Sequence, residues 1–311
     1  MKKKTILKKL SSKRLSRNVI YFLIVIAFFL GFFANKLTDI KFPFLGKSKE
    51  VVEKSNPNSD LEALQAKVIK ESYLFKIKWG DLGKKMIEDG VIDKTKLSQA
   101  VSGADELSQE LEKYLSGNEN KIELSQANAQ FWVDVLWGLG LANKNSILEN
   151  GAMVEGGNTA NFASTGGWTL GKSQAMDYYS KFSYISLTPE EQKRVEKIAG
   201  NIYRPCCGNS TAFPDCNHGM AALGLVELMV SQQFSDEEIY KTVLAFNTYW
   251  FPQTYLDTAY YFEKNGKAYE TISPKELLSK TFSSASGYQV IRKKIGNVQW
   301  PALKGGGSCG A

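Results

Sequence analysis

A mainly α-helical extracytoplasmic domain, tethered by one N-terminal transmembrane helix, is the architecture this sequence predicts. Three observations predict it. Residues 19–34 (VIYFLIVIAFFLGFFA) carry no charge and follow a segment rich in lysine and arginine. Farther along, apolar residues recur at spacings of three to four, and alternating strand patterns are few. Three helix-start signatures, each a Ser or Thr followed three residues later by Glu, fall at Thr188, Ser235 and Ser273.

The N-terminal segment comes first. Residues 1–17 hold Lys2, Lys3, Lys4, Lys8, Lys9, Lys13, Arg14 and Arg17 and no acidic residue. These eight charges exceed the net charge of the whole 311-residue chain, which is +7, so the remainder is close to neutral. A basic nucleic-acid surface is therefore not implied, and no nucleic-acid partner is expected. The apolar run is slightly shorter than the roughly 20 residues that cross a bilayer. Asn18 and residues 35–37 extend it, and Lys36 can snorkel to the interface. Residues 18–37 thus read as a transmembrane signal anchor. The run ends in GFFANKL, where bulky Phe32 and Phe33 give no small-residue cleavage site, so the anchor is expected to stay. The positive-inside rule keeps residues 1–17 in the cytoplasm and sends the rest outside, as a single-pass protein of the cell membrane.

Residues 38–60 form a linker, broken by Pro43, Gly46 and Pro57. Residues 61–145 read as a helical region. A helix starts near Asp60, with Leu61, Leu64, Val68 and Ile69 on one side. Asp81 can cap a short helix ending at Gly90, and Asp93 can cap the next. Residues 104–115 predict another helix, and the strongly apolar stretch 124–142 a buried one. Residues 146–300 read as a helical domain holding the cysteines and the histidine. It opens with a Gly-rich loop, 151–171, which carries six glycines and no helical period. Loops of that length inside a compact domain are usually functional or mobile. Helices then start at Thr188-Pro189, Ser235 and Ser273-Pro274, where proline suits the first helical position. Residues 301–311 form a Gly-rich tail that carries Cys309. Hydrophobic content of 43% and charged content of 23% are those of an ordinary globular chain, and four cysteines are too few for a disulfide scaffold.

The chemistry concentrates in residues 203–219, YRPCCGNSTAFPDCNHG. These 17 residues hold three of the four cysteines, Cys206, Cys207 and Cys216, and the only histidine, His218. Thiolates and neutral imidazoles select zinc and copper, so these four residues, with Cys309 in reach from the tail, are candidate metal ligands. The spacing C-C-x8-C-x-H is not that of a standard zinc motif. Thiol redox chemistry is the second reading. The stretch 216–233 predicts a helix, which places Cys216 in the first turn, with Asp215 or Asn217 near the cap. Unpaired backbone N–H groups stabilise a thiolate there, and a protonated His218 would add to this. Cys206, Cys207 and Cys216 would then be the catalytic thiols. The third reading is a structural disulfide, such as Cys207–Cys216 bracing the loop, in a non-enzymatic membrane-tethered interaction protein. The pairing cannot be chosen from spacing.

The order Arg204, Cys206, Cys207, a helix of small and apolar residues, then Ser235-Asp236-Glu237-Glu238-Ile239 resembles the membrane-anchored thiol-oxidoreductase subunit of cytochrome c maturation. The resemblance covers residues 203–250. It implies a small helical domain outside the membrane, with Cys206 and Cys207 in the redox positions, reducing a partner protein's disulfide. The chain departs from that family in having CC where the family has C-x-x-C, and Cys216 and His218 have no counterpart there.

Two other motifs carry less weight. Residues 166–173, GGWTLGKS, match the phosphate-binding G-x-x-x-x-G-K-[ST] pattern, with Lys172 and Ser173 in place. No apolar strand precedes them, so a nucleotide partner is not expected and a Gly-rich turn is. The aromatic run 246–262, FNTYWFPQTYLDTAYYF, reads as core packing between two helices broken at Pro252.

Overall fold

The computed structural model describes residues 57–301. The anchor at 18–37, most of the linker and Cys309 lie outside them. Among the described residues no helix is long and apolar enough to cross a membrane. These residues are mainly helical, as expected.

Two apolar helices form the centre. Helix α5 (Ala129–Ala142) is buried at every residue except Gln130. Helix α9 (Asn217–Ser231) is buried from His218 to Val230. Helices apolar on all sides have to be surrounded by protein. They pack directly on one another, and two glycines set how closely. A Cβ on Gly140 would stand 2.1 Å from Met220 O, and one on Gly224 would stand 2.7 Å from Leu136 O. α5 and α9 come from either side of residue 145, so the stretches 61–145 and 146–300 share one core.

Shorter elements wrap this pair. Helix α1 (Pro57–Val68) is followed by strand β1 (Ser72–Phe75), then α2 (Leu82–Glu88), α3 (Lys94–Ser102) and α4 (Gln109–Ser116). Strand β2 (Ile122–Ser125) pairs antiparallel with β1, Ser72 opposite Ser125 and Phe75 opposite Ile122. The sheet was not visible as alternation because each strand has only four residues. Asp93 caps α3, accepting from Thr95 N and Lys96 N. Asp81 holds the N-cap position of α2 without a side-chain cap hydrogen bond; its carboxylate pairs with Lys85 at 3.0 Å. The helix expected over 104–115 starts only after Ser108.

Past α5, the short helices α6 (Ser146–Asn150) and α7 (Ala152–Glu155) open the Gly-rich segment. Its second half is pinned to the core. Ser164, Thr165 and Trp168 are buried; Trp137 Nε1 donates to Ser164 O, and Trp168 Nε1 donates to Val91 O. The GGWTLGKS stretch leads into a single 3₁₀ turn (Ala175–Asp177), with no helix starting at Lys172. Helix α8 (Pro189–Ala199) and helix α10 (Asp236–Trp250) start with the reciprocal caps expected at Thr188–Glu191 and Ser235–Glu238. Pro252 opens α11 (Pro252–Lys264), and Phe246, Tyr249, Trp250, Tyr255 and Phe262 of the aromatic run are core residues. Helices α12 (Pro274–Leu277), α13 (Lys280–Ser283) and α14 (Ala285–Ile295) complete the fold.

Candidate functional site

The loop before α9 folds around one buried cation. Residues 203–216 contain Arg204 and Asp215, the only Asp, Glu, Lys or Arg residues between Lys197 and Glu227. Tyr203 bridges to Ser210, and Thr211 N donates to Ile202 O at 2.8 Å, so the loop closes on itself. Arg204 points inward and is 1% exposed. Its guanidinium donates to Cys216 Sγ (2.9 Å), Asn209 O (3.2 Å), Phe213 O (3.2 Å) and Asp215 Oδ1 (2.8 Å). A buried charge persists only when paired and hydrogen-bonded in this way. Gly219 makes room: a Cβ there would lie 2.3 Å from the guanidinium carbon.

The three cysteines gather on this cation. Their sulfurs lie within 4.8 Å of one another, and Cys206 Sγ is 3.4 Å from Cys216 Sγ. Cys206 is exposed, and Cys207 and Cys216 are half-buried. Cys216 is the N-cap of α9 itself rather than a residue of its first turn, and its sulfur accepts from Gly219 N at 3.4 Å. Sulfur here does the work an N-cap oxygen usually does. Cys207 Sγ lies 3.7 Å from Asp215 Oδ1 and 3.9 Å from Asn209 O. Ala285 N donates to Cys207 O at 2.9 Å, which fixes the CC pair against the start of α14.

This arrangement separates the thiols by ionisation. Hydrogen bonds from Cys206 and Cys207, with the Arg204 charge, hold Cys216 well below the usual thiol range despite its burial. Donation to Cys207 and Cys216, together with burial, pushes the Cys206 thiol up. At Cys207, the hydrogen bond from Cys206 lowers the value, but donation to Cys216 and burial prevail, and the thiol rises to about 11. Burial opposes the charge on Arg204, and the neighbouring sulfur of Cys216 more than offsets it, so the guanidinium stays protonated. Ionisation is thus favoured at Cys216 and opposed at Cys206 and Cys207. This group can hold a metal ion or undergo thiol redox chemistry.

Of the expected site residues, the structure brings Cys206, Cys207 and Cys216 together. His218 stands beside them but outside the group. The residue is 7% exposed, and its ring packs on Phe251 (centroids 4.5 Å apart) and Trp250 (5.6 Å). Burial lowers its pKa to about 4, so it is neutral at pH 7 and does not add positive charge at Cys216. Cys309 lies outside the described residues. The Gly-rich segment does meet the site: Ser164 N donates to Asp215 O at 3.1 Å, and Phe162 packs edge-on against Phe213. Sequence reasoning placed Asp215 near the helix cap but missed its pairing with Arg204, and it missed Asn209, whose Nδ2 donates to Asp215 Oδ2 at 2.8 Å. The available signal was the isolated Arg204/Asp215 pair bracketing the cysteines in an otherwise uncharged stretch. No family model, curated protein or solved structure matches the chain.

Proposed function

We propose that Cys206, Cys207 and Cys216 form a three-thiolate site for a soft metal ion, with Cu(I) the best fit and zinc the second. The observation that carries this reading is the convergence of three sulfurs within 4.8 Å, one of them eased toward the thiolate by hydrogen bonds from the other two and by a buried arginine. An ion about 2.3 Å from each sulfur needs them about 4 Å apart, which this spacing meets with small side-chain shifts. Soft thiolates favour Cu(I), which three of them satisfy, whereas structural zinc takes four ligands. The nearest carboxylate, Asp215, is committed to Arg204 and Asn209. His218 is packed between aromatic rings, and only Cys309 from the tail would complete a zinc set.

The distribution of reactivity supports metal holding over a fast oxidoreductase. Such an enzyme presents its most ionised sulfur to its partner. Here the sulfur most favoured to ionise belongs to the half-buried Cys216, and ionisation of the exposed one, Cys206, is opposed. With residues 18–37 as the anchor, the site would hold its ion on the outer side of the cell membrane. The test is anaerobic Cu(I) titration of the reduced full chain against bicinchoninate as competitor. One ion per chain is expected, with a thiolate-to-copper absorption band that Cys216→Ser removes. Failure to retain Cu(I), or equal retention by the Cys216→Ser, Cys206→Ser and Cys207→Ser variants, sinks the reading.

A further inference from the structure

Two of the three sulfurs are placed for a second reaction. Cys206 Sγ and Cys216 Sγ are 3.4 Å apart, and a disulfide needs about 2.05 Å, so a small side-chain rotation closes the gap. Cys216 is held on the N-terminus of α9 by Arg204 Nε and Gly219 N. Cys206 is the exposed partner. Cys207 is placed differently. Its sulfur faces Asp215 and Asn209 O, and its carbonyl is tied to Ala285 N. A Cys206–Cys207 bridge would also force an eight-membered ring across a peptide bond that prefers to be planar and trans.

We infer that Cys206 and Cys216 form a reversible disulfide by exchange with an organic disulfide, and that this bridge switches the metal site off. The exposed Cys206 attacks the incoming disulfide RSSR. A bond forms between Cys206 sulfur and one SR group, and the other leaves as a thiolate that takes up the Cys206 proton. Cys216 sulfur then attacks Cys206 sulfur and expels the second SR group. Two electrons pass from the two cysteines to RSSR; the second SR group leaves as a thiolate and takes its proton from solvent, so RSSR departs as two thiols. Of the three grouped sulfurs, one, Cys207, then remains free, too few to hold a soft ion against a competitor. In the other direction, a bound ion occupies both sulfurs and blocks exchange. The consequence for metal rests on the three-thiolate reading; the bridge itself does not.

The test exposes the full chain to glutathione disulfide in a glutathione redox buffer, with and without prior Cu(I) loading. Free thiols are trapped by alkylation and mapped by mass spectrometry, which reports Cys309 in the same digest. The expected result is a Cys206–Cys216 bridge with Cys207 alkylated. Cu(I) retention against bicinchoninate is then lost and returns on reduction with dithiothreitol. Prior loading slows bridging about tenfold or more, because ion release precedes attack. Cys206→Ser, an exposed substitution that leaves the core intact, gives no bridge. Cys207→Ser still bridges and, when reduced, retains Cu(I) only as weakly as a two-thiolate chain. A bridge that uses Cys207 or Cys309 in place of this pair overturns the proposal, as do thiols that stay free throughout or a bridged chain that keeps its Cu(I). If the pair bridges but the reduced chain never binds Cu(I), the metal reading fails and the switch fails with it, while the disulfide chemistry survives.

Discussion

Helix α9 carries two buried polar sites that solve the same problem in opposite ways. At its N-terminus, Arg204 is buried with Asp215 and the Cys216 sulfur, so charge is answered by charge. Eleven residues on, about three turns, Glu227 is completely buried and answered only by neutral amides. Asn143 Nδ2 donates to one carboxylate oxygen at 2.9 Å, and Asn145 Nδ2 donates to the other. The amide orientation is forced. Asn143 Oδ1 accepts from Ile185 N, and Asn145 Oδ1 accepts from Ile147 N and Gln192 Nε2. The first site opens to solvent through Cys206; at the second, Asn143, Asn145 and Glu227 are all buried. Balanced charge with an open edge suits a site that exchanges something. A sealed carboxyl held by amides suits a clamp joining α9 to the end of α5.

The largest effect should come from unbalancing the first site. Arg204→Met leaves Asp215 and the Cys216 sulfur without their buried cation and should cost about 3–5 kcal/mol in urea unfolding at pH 7. Adding Asp215→Asn should recover part of that loss, because the pair then goes together. A double variant as unstable as the sum of its singles would break the charge-for-charge account. Next comes the clamp. Glu227→Ala strands two amide donors and leaves a void, for about 3 kcal/mol. The pH dependence sharpens the contrast. Burial pushes the Glu227 carboxyl well above its ordinary 4.5, against the pull of both amides. The folded chain therefore holds a proton that the unfolded chain gives up. That contribution is complete below pH 4.5 and is lost as pH rises through the folded value. The stability difference between wild type and Glu227→Gln should thus shrink from pH 5 to pH 8. A gap that widens with pH would show the carboxyl to be stably ionised in the fold.

The contrast also tracks what could be read from residue order. The α5 and α9 segments were legible because an unbroken apolar run has one stable fate, burial on all sides. The starts at Thr188 and Ser235 were legible because the reciprocal cap is local, spanning four residues. The grouping of Cys206, Cys207 and Cys216 followed from their nearness in sequence. Arg204's role did not, since it depends on Gly219 being small and on carbonyls of Asn209 and Phe213 turning inward. The Glu227 clamp was illegible for the same reason: its partners lie more than 80 residues away. His218 misled because nearness along the chain is not nearness of ring to sulfur. On a helix, its side chain turns toward Phe251 and Trp250.

A smaller change probes the geometry without removing charge. Gly219→Ala puts a methyl 2.3 Å from the guanidinium carbon and must push Arg204 off Cys216. It should cost about 1–3 kcal/mol and weaken Cu(I) binding about 10- to 100-fold, the range for lost supporting contacts at a metal site. Gly208→Ala, where a Cβ meets nothing within 4 Å, is the matched control and should leave both unchanged.

The smallest expected change in stability makes the sharpest functional claim. Cys206 is exposed, and its sulfur is no part of the core. Cys206→Ser should therefore move the unfolding free energy by no more than about 0.5 kcal/mol, as at an ordinary surface position. The same substitution removes one of three soft ligands and the only exposed one. Cu(I) retention against bicinchoninate should fall to that of a two-thiolate chain, with the charge-transfer band gone. At Glu227 the order is reversed: the clamp variants should lose stability and, where folded, bind Cu(I) as wild type does. Stability loss without metal loss at one end of α9, and metal loss without stability loss at the other, is the pattern that separates a clamp from a working site. A Cys206→Ser chain that binds Cu(I) normally would move the ion elsewhere; one that unfolds would show that this sulfur braces the loop.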